Sequence, residues 1–148
     1  MTSSDLQSDI VLAYEIPQPE EFMALRVAGG MSARTLEAAQ AGLPNSLFCV
    51  TLRQSGQLVG MGRVIGDGGC AFVVSDIVVH PSMHRRGLGR RIMAEIERYL
   101  EENVQPGSFV SLIADTPADE LYRHFGFIET APASIGMYRP SRPKNGDR

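Results

Sequence analysis

The sequence predicts one α/β domain, on three observations. Strand-like and helix-like periodicities alternate along 148 residues as strand, two helices, three strands, helix, strand, helix and a closing strand pair. The run CAFVVSDIVVHP (70–81) is apolar almost throughout, the composition of a strand buried on both faces. A glycine-bearing turn, an amphipathic helix and another apolar strand follow it, in the order of a right-handed crossover unit. Residues 1–140 are expected to form the domain and 141–148, rich in Pro and charge, a disordered tail.

Each element has a local cause. IVLAYEIP (10–17) reads as a strand ended by Pro17. PEEFMALRVA (19–28) reads as a helix with Glu20 and Glu21 in its first turn, stopped by Gly29 and Gly30. SARTLEAAQAG (32–42) reads as a second helix, with Ser32 as its N-cap and Gly42 closing it. Residues 47–69 read as a hairpin turning at Ser55-Gly56, its second arm weakened by Gly60, Gly62 and Gly66. From Gly87 to Asn103, Leu88, Ile92, Ile96, Tyr99 and Leu100 recur at helical spacing, with Arg91, Glu95, Arg98 and Glu102 opposite. GSFVSLIAD (107–115) is a buried strand, PADELYRHFGF (117–127) a helix stopped by Gly126, and residues 128–139 a strand pair about a Pro-Ala-Ser loop.

Composition narrows the function. With 43% apolar and 21% charged residues the chain reads as soluble and globular, and no apolar run approaches the ~20 residues of a membrane span. No basic, then apolar, leader opens the sequence, so a cytoplasmic location is the expectation. Cys49 and Cys70 lie in apolar stretches without CxxC spacing; they are expected to be buried thiols, and no metal site is predicted. A net charge of −3 argues against a general nucleic-acid binder.

Against that acidic background, His84, Arg85, Arg86, Arg90 and Arg91 gather at the start of a helix, where the macrodipole already favours anions. Gly87 and Gly89 let backbone approach a ligand, and the first-turn N–H groups of the helix suit phosphate. Neither common glycine-rich signature is present: no GK[ST] follows a four-residue gap, and Ile92 stands where a dinucleotide fingerprint has its third glycine.

The stretch His84-Arg85-Arg86-Gly87-Leu88-Gly89 after a buried strand resembles the acetyl-CoA loop of the GCN5-related N-acetyltransferase (GNAT) superfamily, and ELYRHFGF (120–127) resembles that family's tyrosine helix. The resemblance runs from about Val59 to Tyr138. It departs at His84, where the family has Gln or Arg, and at Asp115, where it often has a cofactor-binding Asn. It implies a mixed, mostly antiparallel sheet of six to seven strands with about four flanking helices, and a pantetheine slot where the fourth and fifth strands splay. It also implies acetyl-CoA as donor, bound by Ile77, Val78, Val79, His84, Arg85, Arg86, Gly87, Leu88, Gly89, Arg90, Asp115 and Tyr122, and allows a homodimer.

Acetyl transfer from a thioester to an amine needs a deprotonated nucleophile, a polarised carbonyl and a proton for the departing thiolate. An alkylamine titrates near 10.4 and must lose its proton on the way. By the resemblance, main-chain N–H groups of the fourth strand hold the carbonyl and Tyr122 is the acid. Asp76 is the candidate base, with His80 as the alternative. Tyr122 would serve equally as a core aromatic, and Asp76 as a structural hydrogen-bonding residue. The acceptor site is expected around residues 27–35 and 130–137; both stretches are small and weakly charged, which suggests a fairly apolar pocket for a small-molecule primary amine. Protein N-terminal or lysine acetylation and non-catalytic acetyl-CoA binding are the alternatives.

Overall fold

A computed structural model describes residues 9–141. In chain order its elements are β1 (Ile10–Ala13), α1 (Pro19–Ala28), α2 (Leu36–Gly42), β2 (Phe48–Gln54), β3 (Gln57–Gly66), β4 (Ala71–Val79), α3 (Leu88–Asn103), β5 (Phe109–Ser111) and α4 (Asp119–His124). The strands lie side by side in sequence order. The first four pair antiparallel; β5, reached through the α3 crossover, pairs parallel to β4.

Helices cover both faces of the sheet. On one, Leu88, Ile92, Met93, Ile96 and Leu100 of α3 pack on Val50, Leu52, Val64, Phe72 and Val74. On the other, Phe22, Leu25, Ala39 and Leu43 from α1, α2 and the turn after it pack on Cys49, Leu58, Met61 and Val78. Two of the glycines that weaken β3 as a sequence pattern bring α3 close. A Cβ on Gly62 would lie 2.6 Å from both Ile77 Cδ1 and Ile92 Cγ2, and one on Gly60 3.4 Å from Ile92 Cδ1. Arg53 ties α1 to β2: its Nη2 donates to Glu21 Oε2 at 2.7 Å and its Nε to Glu15 Oε1 at 2.8 Å. The Ser55-Gly56 turn forms as expected, with φ of 50° and 80°.

The sheet has five strands where six to seven were expected. Residues 128–139 form no strand; Ile128, Ile135, Met137 and Tyr138 are exposed, and the hydrogen bonds here are those of a local turn, Ser134 N to Thr130 O and Thr130 Oγ1 to Ser134 O. Apolar alternation without a neighbouring strand leaves the segment as coil. β1 stops at Ala13, the last residue paired with β2, and Glu15 beyond it binds Thr51 and Arg53 through its side chain. The second helix starts at Leu36 with Thr35 as N-cap, its Oγ1 accepting from Ala38 N at 3.1 Å. Ser32 cannot cap it because its hydroxyl and carbonyl both accept from Arg26. Cys70 is exposed, contrary to expectation, while Cys49 is buried, which pushes its thiol up to about 12. Of the expected tail, residues 142–148 lie outside the described residues.

Gly62→Ala forces its new methyl into Ile77 and Ile92, and overpacking of this kind costs about 1–3 kcal/mol, read as a lower midpoint in urea. A second prediction concerns pH. Hydrogen bonds from Arg53 hold the Glu15 and Glu21 carboxyls below their ordinary 4.5. Their stabilisation is therefore present above the unfolded value and lost as pH falls through the depressed folded values. Arg53→Met should lower stability at neutral pH by about 0.5–1 kcal/mol, the range for solvent-screened pairs. The difference from wild type should shrink on acidification, as followed by urea unfolding across that range.

Candidate active site

The site begins with one extra residue. Between Met61↔Val78 and Arg63↔Ser75 the ladder passes one residue on β3 and two on β4, so Asp76 and Ile77 bulge opposite Gly62. Asp76 takes the bend in the left-handed region, at φ 56°, which Asp adopts more readily than most residues. The insertion reverses the alternation of β4. Phe72 and Val74 face α3 before it, Ile77 and Val79 face α3 after it, and Val78 joins the α1 face. Parallel pairing with β5 ends at Val73↔Ser111, so beyond it β4 has no strand on that edge. The strands part there.

Asp76 is held on the α1 face. Its Oδ1 accepts from Arg26 Nη1, its Oδ2 accepts from Arg63 Nε at 2.5 Å, and Ser75 Oγ lies 3.3 Å from Oδ2. The carboxylate is 3% exposed. Both guanidinium carbons lie just under 6 Å from the Phe22 ring centre, at 5.9 and 5.8 Å, within cation–π range. Burial pulls the Arg26 pKa below its ordinary value, and the adjacent carboxylate opposes that shift.

A cavity of about 1070 Å³ lies between β4 and residues 113–118, past the end of β5, and reaches both faces of the sheet. On the α3 side its wall includes His84, Arg85, Gly87, Leu88, Gly89 and Arg90; on the α1 side it includes Arg26, Met31, Ser32 and Arg34. Met83 and Leu88, both buried, anchor the two ends of the loop between them. Arg85 and Gly87 have φ of 65° and 74°, and a Cβ on Gly87 would meet nothing within 4 Å. Among the described residues, no acceptor is hydrogen-bonded to the main-chain N–H groups of residues 85–90. An open glycine, free N–H groups and lining arginines fit a phosphate-bearing ligand. His84 Nε2 donates to Val79 O at 3.0 Å, so His84 clamps the loop to the end of β4. His80 caps the following turn, its Nδ1 accepting from Ser82 N at 3.1 Å.

Tyr122 stands on α4 in the cavity wall, half-buried and edge-on to Phe127 with ring centres 6.4 Å apart. Burial, and then the nearby Asp115 carboxylate, raises its phenol above the ordinary 10.0.

Residues 25–136 match the family model of the GNAT acetyltransferase domain, about three quarters of the chain. The chain belongs to the GNAT acetyltransferase family. A probable acetyltransferase from meticillin-resistant Staphylococcus aureus, a solved protein of unknown function, is 48% identical, with a TM-score of 0.86 over 89% of this chain and 99% of that one. A GNAT family protein from Streptococcus pneumoniae is 25% identical, with a TM-score of 0.71 over 90% and 99%. An uncharacterised N-acetyltransferase of Porphyra purpurea is 29% identical over 113 residues, 74% of this chain and 64% of that protein, so the chain spans less than two thirds of that relative's length.

Within this GNAT domain the cavity wall gathers Asp76, Ile77, Val78, Val79, His84, Arg85, Gly87, Leu88, Gly89, Arg90, Asp115 and Tyr122. Arg86 is not among its lining residues, and its Nη1 is buried without a partner among the described residues. The acceptor-side segments line it through residues 29–32, Arg34 and 136–138. Where weak charge was expected, that side carries Arg26, reaching it from α1, and Arg34, which has no acidic partner among the described residues. Arg26 and Arg63 were missed as site residues. The signal available was Arg63 as the one charge in β3 and Arg26 as an arginine inside the apolar run that follows the acidic first turn of α1.

Asp76→Asn leaves two guanidinia sharing a neutral amide, and breaking a buried pair costs about 3–5 kcal/mol. Chemical unfolding of the variant should show a loss of that size, whereas Glu102→Gln, exposed on α3, should stay within about 0.5 kcal/mol of wild type.

Proposed function

We propose that this GNAT domain transfers the acetyl group of acetyl-CoA directly to a primary amine of a small molecule. One observation carries the proposal: a single cavity joins a phosphate-suited loop, the unpaired edge of β4 and a protonated phenol. Acetyl-CoA supplies an activated acyl carbon and a thiolate leaving group. In the balanced reaction the amine nitrogen bonds to the acyl carbon, the C–S bond breaks, the amine proton passes to water, and the sulfur takes a proton.

The chain's residues divide this work. Main-chain N–H groups of Arg85 to Arg90 receive the pyrophosphate, with Arg85 and Arg90 adding charge. The freed edge of β4 supplies main-chain donors to the thioester oxygen at Ile77 and Val79, the residues alternate to Val78 and His80, which face β3, at no reorganisation cost because the bulge is already in place. Tyr122 gives its proton to the sulfur; a phenol raised above 10 is protonated throughout the neutral range. Asp76, occupied by Arg26 and Arg63, acts as a positioning residue that holds the bulge and the loop of residues 29–34 together.

Acetyl-CoA or CoA, but not ATP, should raise the melting temperature, since a ligand at a hundred times its Kd adds about 2.7 kcal/mol. No shift at saturating acetyl-CoA would contradict the proposal. With a turned-over amine, Tyr122→Phe should lower kcat by about 10²- to 10⁴-fold and leave the acetyl-CoA melting shift in place. The wild-type rate should show no descending limb from this phenol below about pH 10. An unchanged kcat would remove Tyr122 as the acid.

A further inference from the structure

On the α1 side of the cavity three guanidinium groups are linked through one carboxylate and one hydroxyl. Arg26 and Arg63 share Asp76, and Arg26 and Arg34 converge on Ser32, whose Oγ accepts from Arg26 Nη2 at 3.2 Å and Arg34 Nη1 at 2.8 Å. Like charges are thus drawn onto a neutral hydroxyl. Among the described residues Arg34 has no acidic partner, and its Nε and Nη2 make no hydrogen bond. Formally the cluster holds three positive charges against one negative, inside a chain whose net charge is −3. Arg26 and Arg34 both line the cavity beside Met31 and Gly30, while the loop arginines Arg85 and Arg90 lie beyond the gap on the opposite face of the sheet. A phosphate held at the Gly87 loop leaves this second cluster unneutralised.

We propose that the Arg34 corner, with Ser32 and Arg26, binds an oxyanion, carboxylate or phosphate, carried by the amine acceptor. The inference rests on the acetyltransfer reading and narrows its substrate class to anionic amines. The free edge of a guanidinium matches two oxygens of such a group, and the excess charge repels polycationic acceptors. Arg34 is exposed and anchored at one nitrogen by Ser32, so it can present that edge without breaking the buried pair behind it.

The test measures product-analogue binding at saturating CoA, by calorimetry, for wild type and Arg34→Gln. The probes are N-acetylglycine, N-acetyl-β-alanine and N-acetyl-γ-aminobutyrate, their primary amides, and N-acetyl-O-phosphoethanolamine. At least one acid or the phosphate should bind wild type tenfold or more tightly than its neutral counterpart (for the phosphate, N-acetylethanolamine). Arg34→Gln should erase that preference and Arg34→Lys restore part of it, with the CoA affinity of both variants unchanged. Whether acid or phosphate binds tighter identifies the anion. Equal binding of charged and neutral probes, binding of none, or a loss of CoA affinity in Arg34→Gln would overturn the proposal. Failure of CoA itself to bind wild type would overturn the acetyltransfer reading, and this one with it.

Discussion

Everything distinctive about this domain depends on the bulge at Asp76 and on the two arginines that hold it. A non-glycine residue in the left-handed region costs about 1–2 kcal/mol, so it persists only where its surroundings favour that conformation. Here the surroundings are Arg26 from α1 and Arg63 from β3, each donating to one oxygen of the same carboxylate. Buried ion pairs seldom repay their desolvation, so net stability is not what the trio supplies. What they give is position. They fix where β4 bends and which residues face which helix.

The consequences run along the chain in both directions. Downstream, the extra residue turns Ile77 and Val79 toward α3 and Val78 toward α1, and the edge of β4 that β5 no longer covers opens the cavity. Opposite it, Gly62 has no side chain, so Ile77, Ile92 and Ile96 fill the space, and the bulge is packed on one side and charged on the other. Upstream, Arg26 also holds the carbonyl and hydroxyl of Ser32, so the turn after α1 is fastened to the same carboxylate as the strand. Two walls of the cavity therefore share one anchor.

The sequence was most legible where local physics decides. The apolar periodicity of α3, the turn at Ser55-Gly56 and the strand of residues 70–81 each depend on their own residues, and each forms within a residue or two of its expected limits. The wall residues from Ile77 to Arg90 could be read because they are contiguous and carry a recognisable loop. Legibility failed where a distant partner decides. Ser32 is a good N-cap by type, but Arg26 has already taken its oxygens. The alternation at 128–139 has the period of strands but no strand beside it. Residues 27–35 looked weakly charged because the arginine that completes their surface comes from earlier in α1.

If the strand edge freed by Asp76 and the loop at Gly87 bind acetyl-CoA through main-chain N–H groups, those amides must exchange more slowly when the ligand is present. Amide hydrogen exchange followed by NMR, with and without acetyl-CoA, tests it directly. New protection is expected at Ile77 or Val79 and at two or more of residues 85–90, with β1 and β2 unchanged. Acetyl-CoA binding without protection at those amides would contradict it.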